Sequence, residues 1–74
     1  MTTRGHIIKT LREEKGMSQE KLADGICSIS TLSKIENNIQ VVSASNFNEL
    51  LEKMGENPEK YSFTMEKYEE DAVF

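Results

Sequence analysis

Residues 18–38 read SQEKLADGICSISTLSKIENN, and this stretch decides the fold. Ser18 is a residue type that caps the start of helices, and Gly25 is the type that ends them. The pattern therefore predicts a very short helix, from Gln19 to Ala23, followed by a tight turn. A helix of so few residues is not stable alone, so packing against the rest of the chain must hold it.

A second helix is predicted after this turn. It begins with a cap at Ser28 or Ser30 and continues to about Glu36 or Asn37. At helical spacing its residues divide into an inward pair, Leu32 and Ile35, and an outward set, Ser30, Ser33, Lys34 and Asn37. Small polar side chains on the outward face allow close approach to another surface and offer hydrogen bonds to it.

Similar signals predict helices before and after this stretch. The first helix follows a cap at Thr2 or Thr3 and ends at Gly16. A later helix begins after Ser43, ends at Gly55, and repeats its apolar residues at the spacing of one helix face. These apolar residues are Phe47, Leu50, Leu51 and Met54. No alternating run predicts a strand, and residues 39–42 are interpreted as a loop.

The C-terminal part is predicted to be helical as well. Pro58 fits the first turn of a fifth helix, and an apolar stripe follows at Tyr61, Met65, Tyr68 and Ala72. The expected fold class is all-α, a five-helix bundle with room for one more short C-terminal helix. Residues 1–61 are expected to form the domain. Residues 62–74 form an acidic extension that could fold back, contact a second copy or join a further domain.

Composition limits the classes of protein that the chain can be. With 74 residues it holds one domain, and its single cysteine, Cys27, excludes a disulfide within the chain. One further candidate ligand, His6, is too few for a zinc site, so no metal or cofactor is expected. No segment has the length of a membrane span, and a lone cysteine fits a reducing compartment, which predicts a cytoplasmic protein. No catalytic set of residues is recognisable, so no enzyme activity is expected.

Charge is distributed unevenly along the chain. Residues 1–54 hold seven basic and seven acidic residues, which cancel. Residues 55–74 hold two basic and six acidic residues, which gives the whole net charge of −4. A neutral domain can bind a polyanion only through cations gathered on one side, and its non-specific affinity for that polyanion should be weak.

Two stretches, LREEKGMSQEKLA at 11–23 and TLSKIEN at 31–37, resemble the Cro- and lambda-repressor-like (XRE) helix-turn-helix family. The resemblance covers about residues 5–60. Within the family, the short turn and the pattern from Phe47 to Gly55 look like the DNA-binding domain of the Rgg and PlcR group of peptide-responsive regulators of Gram-positive bacteria. The family resemblance implies a lambda-repressor-like bundle that binds double-stranded DNA and regulates transcription. The group resemblance implies a further C-terminal peptide-sensing domain, so the chain is either a DNA-binding domain excised from a longer regulator or a small stand-alone relative.

The resemblance also implies roles for individual residues, with Ser28 to Asn37 as the recognition helix in the major groove. The positions that match base-reading residues are Ser28, Ile29, Ser30 and Lys34. Phosphate contacts fall on Gln19 and Asn37, and backbone amides at the helix start near Ser43 can hold another phosphate. Ile29 lies at the flank of the outward face, where it could touch a thymine methyl or enter the core.

Arg12 and Glu36 match a pair that forms a buried salt bridge in the family, although they could instead be two separate surface charges. A homodimer is expected on DNA, because one recognition helix reads only a few base pairs. A protein-interaction module with the same fold, such as an antitoxin or anti-repressor, is the alternative function. The acidic C-terminal extension and the apolar loop at 39–42 are the features that favour it.

Overall fold

The computed structural model describes residues 3–61. The helices are α1 (Arg4–Glu14), α2 (Gln19–Ala23), α3 (Ile29–Glu36) and α4 (Ala44–Lys53), and residues 59–61 begin a fifth helical segment. No residue from 3 to 61 lies in a strand, and residues 39–42 form a loop. The predicted all-α bundle is confirmed. The predicted extension at 62–74, with most of its apolar stripe, lies outside the described residues.

Each of the four helices begins at a capping side chain. A hydroxyl oxygen accepts a hydrogen bond from the backbone N–H three residues later, which satisfies one of the unpaired donors of the first turn. The caps are Thr3, Ser18, Ser28 and Ser43. At the other end of α1 and α4, Gly16 and Gly55 adopt φ values of 67° and 80°, which glycine reaches without strain. Local sequence therefore sets where the helices start and stop.

The helices enclose one apolar core. α3 packs against α1 and α2, and α4 packs against the same two helices. The largest fully buried side chains are Ile8, Leu22, Leu32, Ile35, Phe47, Leu50 and Leu51. α2 is only five residues long, and its buried residues Leu22 and Ala23 join it to this core. Burial, rather than helix propensity, keeps it folded.

Gly5 allows α1 and α3 to approach very closely. It is buried near the start of α1, and a Cβ atom at this position would lie 1.9 Å from the carbonyl oxygen of Ile35. Any other residue type would therefore push the two backbones apart. Beside this contact, the Thr3 hydroxyl donates a hydrogen bond of 2.6 Å to Oδ1 of Asn38. The end of α3 is thus fixed against the start of α1.

Arg4 links α1 to the loop that precedes α4. Its Nη1 donates a 3.0 Å hydrogen bond to the carbonyl oxygen of Val42, and its guanidinium carbon lies 5.8 Å from the centroid of the Phe47 ring. A cation over an aromatic face is attracted by the negative charge of that face. Burial lowers the pKa of Arg4 from its ordinary value. These contacts position the start of α4 relative to α1.

Lys15 and Glu56 join the end of α1 to the segment after α4. Nζ of Lys15 lies 3.1 Å from Oε2 of Glu56, and the Tyr61 hydroxyl donates a 3.2 Å hydrogen bond to Oε1 of the same carboxylate. The hydrogen bond with Lys15 lowers the pKa of Glu56, and the hydrogen bond from Tyr61 lowers it further. Burial, then the nearby Glu56 charge, raises the pKa of Tyr61. The contact closes the bundle at its C-terminal side.

The pH dependence of stability should report this ion pair. Because the folded-state pKa of Glu56 is lowered, its carboxylate contributes stability above the unfolded-state pKa and loses it as the pH falls through the folded-state pKa. We expect the difference in free energy of unfolding between wild type and Glu56→Gln to be full at neutral pH and to shrink below its ordinary pKa of 4.5. Urea unfolding from pH 7 to pH 3 measures this difference. A difference that did not change with pH would contradict the expectation, and Glu49→Gln on the exposed side of α4 is the control.

Candidate functional site

The turn between α2 and α3 sets the orientation of α3. The carbonyl oxygen of Ala23 accepts hydrogen bonds from the backbone N–H groups of Ile26, at 2.9 Å, and Cys27, at 3.0 Å. Gly25 lies within this turn at a φ of 82°. Ile26 and Cys27 then pack against the core from its edge, where burial raises the pKa of the Cys27 thiol. The turn is therefore closed by backbone bonds and anchored by apolar contacts.

A polar network lies at the junction of α1, α2 and α3. Arg12 makes a two-pronged contact with Glu36, with Nε 2.7 Å from Oε2 and Nη2 3.0 Å from Oε1. Its Nη1 also donates a 2.8 Å hydrogen bond to the carbonyl oxygen of Met17, which leads into α2. The bond with Glu36 holds the pKa of Arg12 above its ordinary value, although burial acts in the opposite direction. Arg12 and Glu36 thus meet as a shielded ion pair.

Gln19 belongs to the same network. Its Nε2 donates a 3.0 Å hydrogen bond to Oε1 of Glu36, the oxygen that Nη2 of Arg12 also contacts. Glu36 is only 4% exposed, whereas Gln19 is half-buried at the start of α2. The ion pair therefore fixes the amide of Gln19 in one orientation. One of the two amide N–H groups is used by this bond, and the other is left to meet a ligand.

The outward face of α3 carries exposed side chains that nothing else holds. Ile29 is 47% exposed, and Ser30 and Lys34 are exposed as well. Within residues 3–61, the side chains of Ser30 and Lys34 form no hydrogen bond or ion pair. Of the two positions left open for Ile29, the structure shows the exposed one and not the core. These side chains are available to contact a surface laid against α3.

Ser28 is less available than its neighbours. Its hydroxyl oxygen accepts a 3.0 Å hydrogen bond from the N–H of Thr31, and its proton is donated to Oγ1 of the same residue at 2.9 Å. A hydroxyl has one proton to give, so Ser28 can only accept a further bond. The outward polar pattern of the sequence did not reveal this use of the side chain. The cap pattern itself, Ser28 with threonine three residues later, was the available signal.

The other two residues that match phosphate contacts lie at helix ends. Nδ2 of Asn37 donates a 2.9 Å hydrogen bond to the carbonyl oxygen of Ser33, which keeps the amide beside the last turn of α3. The Ser43 hydroxyl caps α4 by accepting from the N–H of Asn46 at 3.2 Å. Residues 43–45 are exposed. The first turn of α4 is therefore open to solvent, with the free N–H groups that helix starts carry.

Four of the eight lysine and arginine side chains within residues 3–61 are used in contacts between separate elements. Arg4, Arg12 and Lys15 bind groups on other elements, and Nζ of Lys53 donates to the carbonyl oxygen of Asp24. The two lysines of the α2 and α3 segment, Lys21 and Lys34, are exposed and form no ion pair within residues 3–61. The α2 and α3 segment therefore offers only these two unpaired positive charges.

Two kinds of site are not found within residues 3–61. No group of three or more His, Cys, Asp or Glu side chains is placed to hold a metal ion. No helix in this range has both the length and the apolar character needed to cross a membrane.

Comparison with known proteins gives one match. The model of the helix-turn-helix family matches residues 8–61, which includes all of α2, α3 and α4. No curated protein and no solved structure matches the chain. The match is at the level of the XRE-type family, and it does not support closeness to the Rgg and PlcR group.

Proposed function

Because the chain belongs to the XRE-type helix-turn-helix family, whose members are DNA-binding regulators, we propose that it binds specific sequences of double-stranded DNA and regulates transcription. One observation supports this most: α3 is anchored by its inner face while Ile29, Ser30 and Lys34 on its outer face are exposed. A rigidly held helix with unengaged outward side chains is what major-groove recognition requires. We also propose that the protein works in the cytoplasm.

In this proposal α3 lies in the major groove, with its N-terminal residues closest to the base edges. Lys34 would donate to a guanine or to a nearby phosphate, and the Ser30 hydroxyl can donate to or accept from any base. The role of Ser28 is narrower, because its proton is already given to Thr31. It would accept a bond from a base amino group or only cap the helix.

Phosphate contacts would set the position of α3 on the duplex. Gln19 would use the N–H that Glu36 leaves unoccupied, so that the Arg12–Glu36 pair acts by orienting this amide. Asn37 and the first turn of α4 after Ser43 would hold phosphates at the other end of α3. These contacts carry no sequence information, but they fix the register in which α3 reads the bases.

Sparse positive charge implies that one copy binds weakly. With Lys21 and Lys34 as the unpaired cations of the α2 and α3 segment, few counterions are released on binding and the salt dependence should be shallow. We propose that two copies bind together, on half-sites about 34 Å apart or a multiple of that spacing. A relation to peptide-responsive regulators, with a sensing domain joined to this one, stays a prediction.

A protein-binding function is the second candidate. Two apolar side chains of the loop between α3 and α4 are strongly exposed, Ile39 at 74% and Val41 at 87%. Exposed apolar groups of this kind can contribute to a protein interface. The exposed apolar surface of this loop consists of only two side chains, whereas a stable interface buries about 800 Å² on each partner. The loop alone therefore supports this function less well than α3 supports DNA binding.

Fluorescence anisotropy with labelled duplexes tests the DNA-binding function. We expect binding to random duplex at low salt and tighter binding to sequences selected from a promoter library. Lys34→Ala should change which sequences are preferred, because it removes a base contact. Gln19→Ala should weaken all duplexes alike, by about tenfold, because it removes one hydrogen bond to a charged phosphate.

The matched control is Lys60→Ala, which removes the same charge from the segment after α4 and should preserve the sequence preference. Circular dichroism confirms that each variant is folded before its affinity is compared. Absence of binding to any duplex at low salt would overturn the DNA-binding function and leave the protein-binding candidate. A uniform loss of affinity for Lys34→Ala would instead assign Lys34 to a phosphate.

A further inference from the structure

Ile29 is an unusual residue for its place. It is the first residue of α3, it is 47% exposed, and exposed serines stand on both sides of it. The other apolar residues of α3, Leu32 and Ile35, are buried in the core. An exposed isoleucine adds little to the stability of the fold, and its branched side chain is a weaker helix former than alanine. Its apolar surface becomes useful only when something apolar covers it.

The major groove offers few apolar groups. The edges of the bases present hydrogen-bond donors and acceptors, and the exception is the methyl group at C5 of thymine, which 5-methylcytosine also carries. Isoleucine has no polar atom, so against any other base edge it would displace water from a polar group without replacing the hydrogen bond. A pyrimidine C5-methyl group is therefore the feature of a base edge that the Ile29 side chain can contact favourably.

Among its neighbours, Ile29 is the residue best placed to contact a base edge. The Ser28 hydroxyl is turned back to Thr31 by two hydrogen bonds, so it has no proton left to donate to a base edge. The N-terminal residues of a recognition helix are the ones that meet the bases. Lys34, more than one turn further along, supplies the positive charge that draws this face to DNA.

We propose that Ile29 reads a pyrimidine C5-methyl group in each bound half-site, so that affinity depends on a methyl group at one defined base position. The proposal rests on the proposed DNA-binding function and deepens it by naming the chemical feature that is recognised. Burial of one methyl group implies an affinity gain of about fourfold in each half-site.

The experiment replaces single thymines of a selected duplex with deoxyuridine, which removes the methyl group and keeps every hydrogen-bonding atom. We expect one position in the half-site at which wild type binds deoxyuridine about fourfold more weakly than thymine. Ile29→Ala should bind both duplexes equally at that position. It should remain folded, because alanine is the better helix former and Ile29 lies outside the core. Val41→Ala, which shortens another exposed apolar side chain, should keep the full difference between thymine and deoxyuridine.

A second arm separates the two sources of the methyl group by comparing cytosine with 5-methylcytosine at each cytosine of the half-site. An Ile29-dependent preference at a thymine position supports thymine as the source, and one at a cytosine position only supports 5-methylcytosine. If wild type binds with no methyl preference at any position, or if Ile29→Ala keeps the preference, the inference is overturned while DNA binding stands. If no duplex is bound at all, the proposed function fails as well.

Discussion

Replacing Glu36 with alanine should lower the free energy of unfolding by about 3 kcal/mol. Glu36 is almost fully buried and receives two hydrogen bonds from Arg12 and one from Gln19. Without it, the guanidinium keeps only the carbonyl oxygen of Met17 while it is still shielded from water. A shielded charge that has lost its partner carries a large desolvation cost. A domain of this length has about 4–11 kcal/mol of stability in total, so much of it would be lost.

Urea unfolding followed by far-UV circular dichroism measures this loss. Glu52→Ala, at an exposed position of α4, is the matched control and should change the stability by less than about 0.5 kcal/mol. A loss for Glu36→Ala that was no larger than the loss for the control would show that the ion pair does not stabilise the fold.

A double variant separates stability from the orientation of Gln19. Arg12→Met combined with Glu36→Leu replaces the ion pair with apolar side chains, which often restores stability. The double variant should therefore be more stable than Glu36→Ala. It also removes the acceptor that holds Nε2 of Gln19, so affinity for all duplexes should fall as it does in Gln19→Ala. Full affinity in a stable double variant would contradict the orienting role of the pair.

Gly5→Ala should lower the free energy of unfolding by a similar amount, about 3 kcal/mol. Alanine is the better residue inside a helix by about 1 kcal/mol, so propensity alone predicts stabilisation. The added Cβ would lie 1.9 Å from the carbonyl oxygen of Ile35, and a backbone atom cannot move aside as a flexible side chain can. α1 and α3 would have to separate, which would loosen the core and the contact between Thr3 and Asn38.

Gly16→Ala is the control for this variant. Gly16 has open space around its missing Cβ, and its φ of 67° gives alanine only the strain of a left-handed conformation, about 1 kcal/mol. In thermal and urea unfolding, the free energy of unfolding of Gly5→Ala should therefore be well below that of Gly16→Ala. If Gly5→Ala were as stable as wild type, α1 and α3 would not approach as closely as the structure shows.

Local signals in the sequence were sufficient to predict the helices. Serines at positions 18 and 43 cap them, and the glycines at 16 and 55 end them, because caps and left-handed turns depend on a few consecutive residues. The inward positions of Leu32 and Ile35 also follow from helical spacing. These properties need no knowledge of which helix lies next to which.

Contacts between distant segments were not predictable in the same way. Nothing near Gly5 in the sequence shows that a carbonyl oxygen from α3 will lie against it, although a glycine inside a helix is a general sign of close packing. The two open positions for Ile29 differed only in how α3 is rotated against α2, which one sequence does not determine. Whether the Ser28 hydroxyl stays free likewise depends on the side-chain conformation of Thr31.

The two faces of α3 differ in how freely they can change during evolution. Leu32, Ile35 and Glu36 are tied into the core and the polar network, so substitutions there affect folding. The side chains of Ser30 and Lys34 make no hydrogen bond or ion pair within residues 3–61, and Ile29 lies outside the core. Under the proposed function, a gene duplicate could therefore acquire a new target sequence through these outward residues alone, without a compensating change elsewhere in the fold.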